Sequence, residues 1–129
     1  MNVKFFCMLG AIFFALYAMP VRAGETVPVP ICFNIINQAP YTVIGSVATD
    51  TYDAPGGSKA RHRANFRLKV REHTQFCTTG PFYPDRKMEL TLRSLIPLFS
   101  CMTKIDGNIV IRGERKPQGG TKTWAECRE

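Results

Sequence analysis

Histidine is scarce in this 129-residue sequence, which contains only His62 and His73. A zinc site usually takes three or four nitrogen, sulfur or oxygen ligands, and two isolated histidines do not supply them. The sequence has no Cys-x-x-Cys motif, the pattern typical of thiol redox proteins and zinc knuckles. It also lacks the nucleophile-elbow motif of serine hydrolases. We therefore predict no cofactor, no metal site and no enzymatic activity.

Long apolar runs are also few, and the single one lies at the N-terminus. Lys4 supplies a positive charge before an uncharged apolar run at 5–18, and Val21 and Ala23 occupy the −3 and −1 positions of a cleavage site. These features predict that residues 1–23 are a cleaved signal peptide. No other segment is long and apolar enough to span a bilayer, so we expect a protein that is secreted or periplasmic.

The remaining residues, 24–129, are enough for one domain. They contain fifteen basic and ten acidic residues, and an excess of this sign favours contact with anionic surfaces. They also contain four cysteines, and an even number in an exported chain predicts two disulfides. Three pairings are possible, of which we favour Cys32–Cys77 with Cys101–Cys127.

The 24–129 segment is rich in β-forming residues and shows no helical periodicity. Residues 62–70 alternate, with Ala64, Phe66, Leu68 and Val70 of one parity, which is typical of a strand with one face on the core. Turn signals separate such segments, and Asp106-Gly107 predicts a hairpin between the strands at 98–103 and 108–112. We predict an all-β domain, a small antiparallel β-sandwich of seven or eight short strands.

Residues 33–43, FNIINQAPYTV, resemble the opening hairpin of thaumatin-like β-sandwich proteins. The resemblance covers eleven residues and implies a sandwich that opens with a hairpin. The chain lacks the dense cysteine framework and the acidic cleft residues of that family. The resemblance therefore implies nothing about function.

Five basic residues in and beside the alternating segment 62–70 lie at the alternate positions, on the opposite face from the apolar residues. They are Arg61, Arg63, Arg67, Lys69 and Arg71. On one strand their side chains would rise from the same face at intervals of about 6.6 Å, a spacing suited to regularly placed anions. The alternative is a plain solvated sheet face, with Glu89 pairing across strands. Because no aromatic residue shares this face, the case for nucleic acid is weak.

Two aromatic features remain. Phe82 and Tyr83 lie between two prolines and precede Arg86, so they could form a preorganised loop that contacts a partner. The alternative is that these rings cap the core. Trp124, three residues before Cys127, is predicted to pack against a disulfide in the core.

Together these patterns predict an exported binding protein that contacts an anionic envelope component, or an unknown protein, through the basic strand face. A second hypothesis is a secreted inhibitor, toxin or effector that uses the Phe82–Tyr83 loop. A hydrolase that uses His73 beside Glu72 is the third, and no spaced motif supports it.

Overall fold

The computed structural model describes residues 24–128, which are all β, with ten strands and no helix in that range. The predicted signal peptide, residues 1–23, lies outside the described residues. The strands are β1 (Ile31–Asn37), β2 (Val43–Ala48), β3 (Tyr52–Asp53), β4 (Lys59–Ala60), β5 (Arg63–Leu68), β6 (His73–Thr78), β7 (Lys87–Arg93), β8 (Pro97–Lys104), β9 (Asn108–Arg115) and β10 (Thr121–Ala125). Nothing between residues 24 and 128 forms a helix of the length and hydrophobicity that a membrane crossing needs.

The strands form two four-stranded sheets and one small hairpin. The first sheet has the order β10-β9-β1-β6, and the second has the order β5-β2-β7-β8. All neighbours pair antiparallel except β1 and β9, which are parallel. The predicted all-β sandwich is confirmed, with this one parallel pair in place of a purely antiparallel pattern.

One apolar core lies between the sheets. The first sheet contributes Phe33 and Ile35, and the second contributes Leu90 and Leu92, all at most 1% exposed. Successive strand residues point to opposite faces, so the apolar residues of one parity in each strand reach the same core. Burying each of these side chains contributes about 1.5–3 kcal/mol.

The two disulfides are Cys32–Cys77 and Cys101–Cys127, which confirms the favoured pairing. The first joins register partners on β1 and β6, and both of its cysteines are exposed on the outer face of the first sheet. The second connects β8 of the second sheet to the segment after β10 of the first. It therefore ties the two sheets together. In the chain-entropy model, loops of this length contribute roughly 3–4 kcal/mol each.

Two predicted hairpins are wrong, because the strands concerned lie in different sheets. β1 and β2 do not pair, so the thaumatin-like opening hairpin is absent. The turn at Asp106-Gly107 carries the chain from β8 in the second sheet to β9 in the first. Ile105, directly before this turn, is only 2% exposed, because it packs into the core where the connection passes between the two sheets.

The prediction for Trp124 is also wrong. Ala125 on the same strand is buried, and Trp124 has the opposite parity, so it lies on the outer face of the first sheet. There the ammonium of Lys122 lies 5.5 Å from the centre of the indole ring. Cys127 has the parity of Ala125 and packs against the core.

Candidate anion-binding surface

One end of the sandwich gathers four of the chain connections. Strands β1, β5, β7 and β9 finish at this end, and β2, β6, β8 and β10 begin there. The connections are 38–42, 69–72, 94–96 and 116–120. We call these connections, together with the two strand residues on either side of each, the basic end.

The net charge of the domain is concentrated at the basic end. Seven of the fifteen cationic residues between positions 24 and 129 lie there: Arg67, Lys69, Arg71, Arg93, Arg115, Lys116 and Lys122. Only two of the ten acidic residues lie there, Glu72 and Glu114. The resulting +5 equals the excess of basic over acidic residues in the whole 24–129 segment. The rest of the domain is therefore electrically balanced.

The cations of the basic end have no carboxylate within 4 Å among residues 24–128. The ion pairs found in that range all lie elsewhere: Lys59–Asp53, Arg61–Glu89, Arg112–Glu126 and Arg128–Asp106. The Glu72 carboxylate is used locally, since it accepts the backbone N–H of Lys69 at 3.0 Å. Uncompensated charges of one sign create a local positive potential that attracts anions.

Asn37, at the end of β1, holds the connections of the basic end together. Its side chain is completely buried. Its Nδ2 lies 2.9 Å from the Tyr41 carbonyl, 3.1 Å from the Leu68 carbonyl and 3.0 Å from the Lys69 carbonyl. Its Oδ1 accepts the N–H of Ala39 at 2.9 Å. One amide therefore fixes the β1–β2 connection against the turn that carries Lys69 and Arg71.

Tyr41 fixes the other side of the basic end. Its hydroxyl lies 2.6 Å from Thr123 Oγ1 and donates to the Lys122 carbonyl at 3.0 Å. The guanidinium of Arg115 lies 5.7 Å from the centre of its ring. Glycine is needed at position 113, because a Cβ there would collide with the Tyr41 hydroxyl. Tyr41 thus joins the β1–β2 connection to β10 and positions two of the cations.

Exposed apolar side chains are also concentrated at this end. Of the seven large apolar side chains that are exposed in residues 24–128, five belong to it: Ile44, Val70, Leu95, Ile96 and Leu98. Leu95 is 101% exposed and Ile96 is 65% exposed, at the tip of the β7–β8 connection. Turns between strands usually consist of polar residues, glycine or proline. Two exposed apolar residues at this turn are therefore unusual.

A small cleft of about 160 Å³ lies beside this tip. Its lining includes Tyr41, Arg93, Ser94, Leu98 and Thr121. The Arg93 guanidinium makes one long hydrogen bond, from Nη2 to Ser46 Oγ at 3.3 Å. Its Nε is buried and has no partner among the described residues. The Arg93 guanidinium therefore lies against β2, and its unpartnered Nε is closed to a ligand.

The predicted five-residue basic ladder is not formed. β5 contains Arg63 and Arg67, which are exposed at its opposite ends. Lys69 and Arg71 lie in the turn after β5, where Arg71 has a φ of 63°. Val70, predicted to face the core, is 49% exposed because the strand ends at residue 68.

Arg61 precedes β5 and is bound within the fold, so it is not part of a free anion-binding surface. Its Nε donates to the Thr49 carbonyl at 3.1 Å, and its Nη2 donates to the Tyr83 hydroxyl at 3.1 Å. The same nitrogen lies 3.5 Å from Glu89 Oε2. This pairing with Glu89 agrees with the alternative of a plain polar sheet face.

Phe82 is buried, which corrects its prediction as an exposed contact residue and agrees with the alternative that these rings cap the core. Its side chain is completely buried in the core, and its N–H donates to the Glu25 carbonyl at 2.8 Å. Tyr83 is half-buried and accepts the hydrogen bond from Arg61. Of the three contact residues predicted in this loop, Arg86, with a φ of 55°, is the exposed one.

Arg86 borders a cavity of about 360 Å³ at the end of the sandwich opposite the basic end. Ile31, Lys104, Ile105, Asp85 and Asp106 complete the lining. Asp106 is paired with Arg128 at 3.2 Å. The lining therefore carries both positive and negative charges, and it does not favour a ligand of one particular charge.

The histidines form no site in the described part of the chain. His62 stacks on Tyr52 with ring centres 4.9 Å apart, and His73 is exposed. No group of three histidine, cysteine, aspartate or glutamate residues between positions 24 and 128 is placed to hold a metal ion. Comparisons of the chain with protein-family models, curated proteins and solved structures find no match.

Sequence reasoning identified Arg67, Lys69 and Arg71 but missed the other cations of the basic end, which are Arg93, Arg115, Lys116 and Lys122. These residues are far apart in the sequence, and only the strand order brings them together. The sequence does contain one signal for this surface, the apolar pair Leu95-Ile96 at a turn.

Proposed function

We propose that this protein is an exported binding protein that attaches to a polyanionic surface of a cell envelope through its basic end. The observation that carries the proposal is the concentration of the entire net charge at one end, on cations without carboxylate partners. Such a charge distribution orients the molecule as it approaches an anionic surface and accelerates association.

The size of the effect follows from the number of cations. Each lysine or arginine near an anionic surface contributes about 1 kcal/mol to attachment. The attraction is screened over about 8 Å at physiological ionic strength. Attachment should therefore depend on several cations together and weaken steeply with added salt.

Neutralising three cations of the basic end tests this proposal. The variant carries Arg67→Gln, Lys69→Gln and Arg71→Gln, three exposed side chains without a carboxylate partner in the described residues. We expect its affinity for fluorescein-labelled polyphosphate to fall about a hundredfold, because about 1 kcal/mol is lost per cation. Fluorescence anisotropy measures the dissociation constants, with protein expressed from the full-length sequence and purified with its disulfides intact.

The chain offers a control with the same net charge. Arg63→Gln, Arg86→Gln and Lys104→Gln remove three cations outside the basic end that also have no ion-pair partner in the described residues. We expect this variant to bind within about threefold of the unmodified protein, since its cations lie beyond the screening distance from the basic end. Equal losses in the two variants would show that net charge alone matters, and the proposed site would be wrong.

The proposal also requires export. We expect protein expressed from the full-length sequence in a secreting host to be recovered outside the cytoplasm and to begin at Gly24. Intact-mass measurement and N-terminal sequencing test this cleavage after Ala23. The two disulfides support an oxidising compartment. A product that keeps residues 1–23 would contradict the signal-peptide prediction.

A further inference from the structure

We infer that the anionic partner is a phospholipid bilayer, and that Leu95 and Ile96 insert into it while the surrounding cations contact the headgroups. This inference rests on the proposed function, because the cations must first bring the tip to an anionic surface. It adds a specific partner to that function and assigns a role to apolar side chains that charge alone does not explain.

The first argument is the combination of charge and exposed apolar surface. A soluble polyanion offers negative charge but no apolar phase for aliphatic side chains, whereas a bilayer with anionic lipids offers both. The exposed apolar residues of the basic end are all aliphatic. Proteins that bind single-stranded nucleic acid use aromatic side chains for stacking, and Tyr41 is half-buried under Arg115.

The second argument is the geometry of the tip. The β7–β8 connection has only three residues and is closed by a hydrogen bond from the Ser94 N–H to the Ile96 carbonyl at 3.1 Å. β7 and β8 pair up to Arg93 and Pro97, with a register shift between Leu92 and Arg93, so the tip projects directly from paired strands.

The third argument is the exposure of the cations. Six cations of the basic end are exposed, so their charged groups can reach headgroup phosphates: Arg67, Lys69, Arg71, Arg115, Lys116 and Lys122. Arg93 is half-buried, with its guanidinium against Ser46.

A second apolar residue defines the orientation of the bound protein. Val70 is 49% exposed between Lys69 and Arg71, in the turn that Asn37 holds. This turn and the β7–β8 connection lie at the same end of the sandwich. With both in contact with the membrane, the strands would run roughly perpendicular to its surface. The cavity beside Arg86 would then face away from it.

The test separates vesicle binding from polyanion binding. The variant Leu95→Ser with Ile96→Ser keeps every cation. Its binding to vesicles of 70% phosphatidylcholine and 30% phosphatidylglycerol is measured by co-sedimentation, and its binding to labelled polyphosphate by anisotropy. We expect vesicle binding to fall about thirtyfold because the apolar contribution is lost, with polyphosphate binding unchanged. The control variant, Val29→Ser with Met102→Ser, removes the two large apolar side chains that are exposed outside the basic end in residues 24–128, and it should bind vesicles normally.

A spectroscopic readout tests insertion directly. In the background Trp124→Phe, the variant Leu95→Trp carries a single tryptophan at the tip. We expect its emission to shift to shorter wavelength with these vesicles and to be quenched by lipids brominated on the acyl chain. A tryptophan that vesicles do not quench would overturn insertion.

The outcomes distinguish this inference from the proposed function. Normal vesicle binding by the Leu95→Ser, Ile96→Ser variant overturns insertion and leaves the proposed function in place. Binding of unmodified protein to polyphosphate but not to the vesicles identifies a soluble polyanion as the partner and also overturns insertion. If the unmodified protein binds neither probe, the proposed function itself fails.

Discussion

Replacing Asn37 by alanine is expected to lower the free energy of unfolding by about 3 kcal/mol, because several buried backbone groups lose their partner at once. The amide of Asn37 is completely buried, and its partners are three carbonyls and one N–H from two connections of the basic end. An alanine removes the partner of the Tyr41 and Leu68 carbonyls and of the Ala39 N–H, whereas the Lys69 carbonyl keeps the N–H of Glu72. Urea unfolding of the oxidised protein measures the change.

Asn34→Ala is the matched control for this prediction. Asn34 lies on the same strand but on the outer face, where its Nδ2 donates to Asn108 Oδ1 at 3.1 Å in an exposed bond. We expect a change within about 0.5 kcal/mol for this variant. Hydrogen exchange should also become faster at residues 38–42 and 69–72 in the Asn37→Ala protein. Equal stability of the two variants would contradict the role assigned to Asn37.

Phe82→Ala is expected to lower the free energy of unfolding by about 3–5 kcal/mol, the usual range for deleting a buried aromatic ring. The side chain is 0% exposed, and the backbone on both sides is held by the N-terminal segment. The Phe82 N–H donates to the Glu25 carbonyl, and the Phe82 carbonyl accepts the N–H of Gly24, both at 2.8 Å. The deletion therefore leaves a cavity that this anchored loop cannot easily close.

Two further variants distinguish a core residue from a contact residue. Phe82→Leu retains much of the volume and should cost less than about 1.5 kcal/mol, with binding to vesicles unchanged. Arg86→Gln, at the exposed part of the same loop, should leave stability within about 0.5 kcal/mol. A Phe82→Ala protein with normal stability and lost capture of a protein partner would restore the hypothesis of an inhibitor or effector loop.

The candidate site could be predicted only in part, because its residues come from connections that are distant in the sequence. Alternation within 62–70 identified Arg67 as an exposed strand residue, and this is confirmed. The same alternation extended the strand to Val70, although the chain turns after Leu68. Asn37, more than thirty residues earlier, helps to hold that turn, since its side chain binds the carbonyls of Leu68 and Lys69. The alternation within residues 62–70 cannot indicate a partner that lies so far away in the sequence.

The strand order could not be predicted either. A three-residue connection at 105–107 fits a hairpin within one sheet and equally a crossing between two sheets. In the structure the connection passes between the sheets, and Ile105 packs into the core that the two sheets share. Once β9 lies in the first sheet, it pairs in parallel with β1, and Arg115 and Lys116 arrive at the same end as Lys69 and Arg71.

The sequence by itself determined the all-β class and the two disulfides, because β-forming composition, period-two alternation and cysteine number are properties of short segments or of composition. It also predicts export, through the features of residues 1–23. The tertiary structure alone decided which residues form a surface. It removed Phe82 and Arg61 from the candidate contacts by burial and internal hydrogen bonds, and it placed seven cations and five exposed apolar side chains at one end. The physical reason is that sheet pairing satisfies backbone hydrogen bonds across long sequence distances, and this pairing fixes which connections become neighbours.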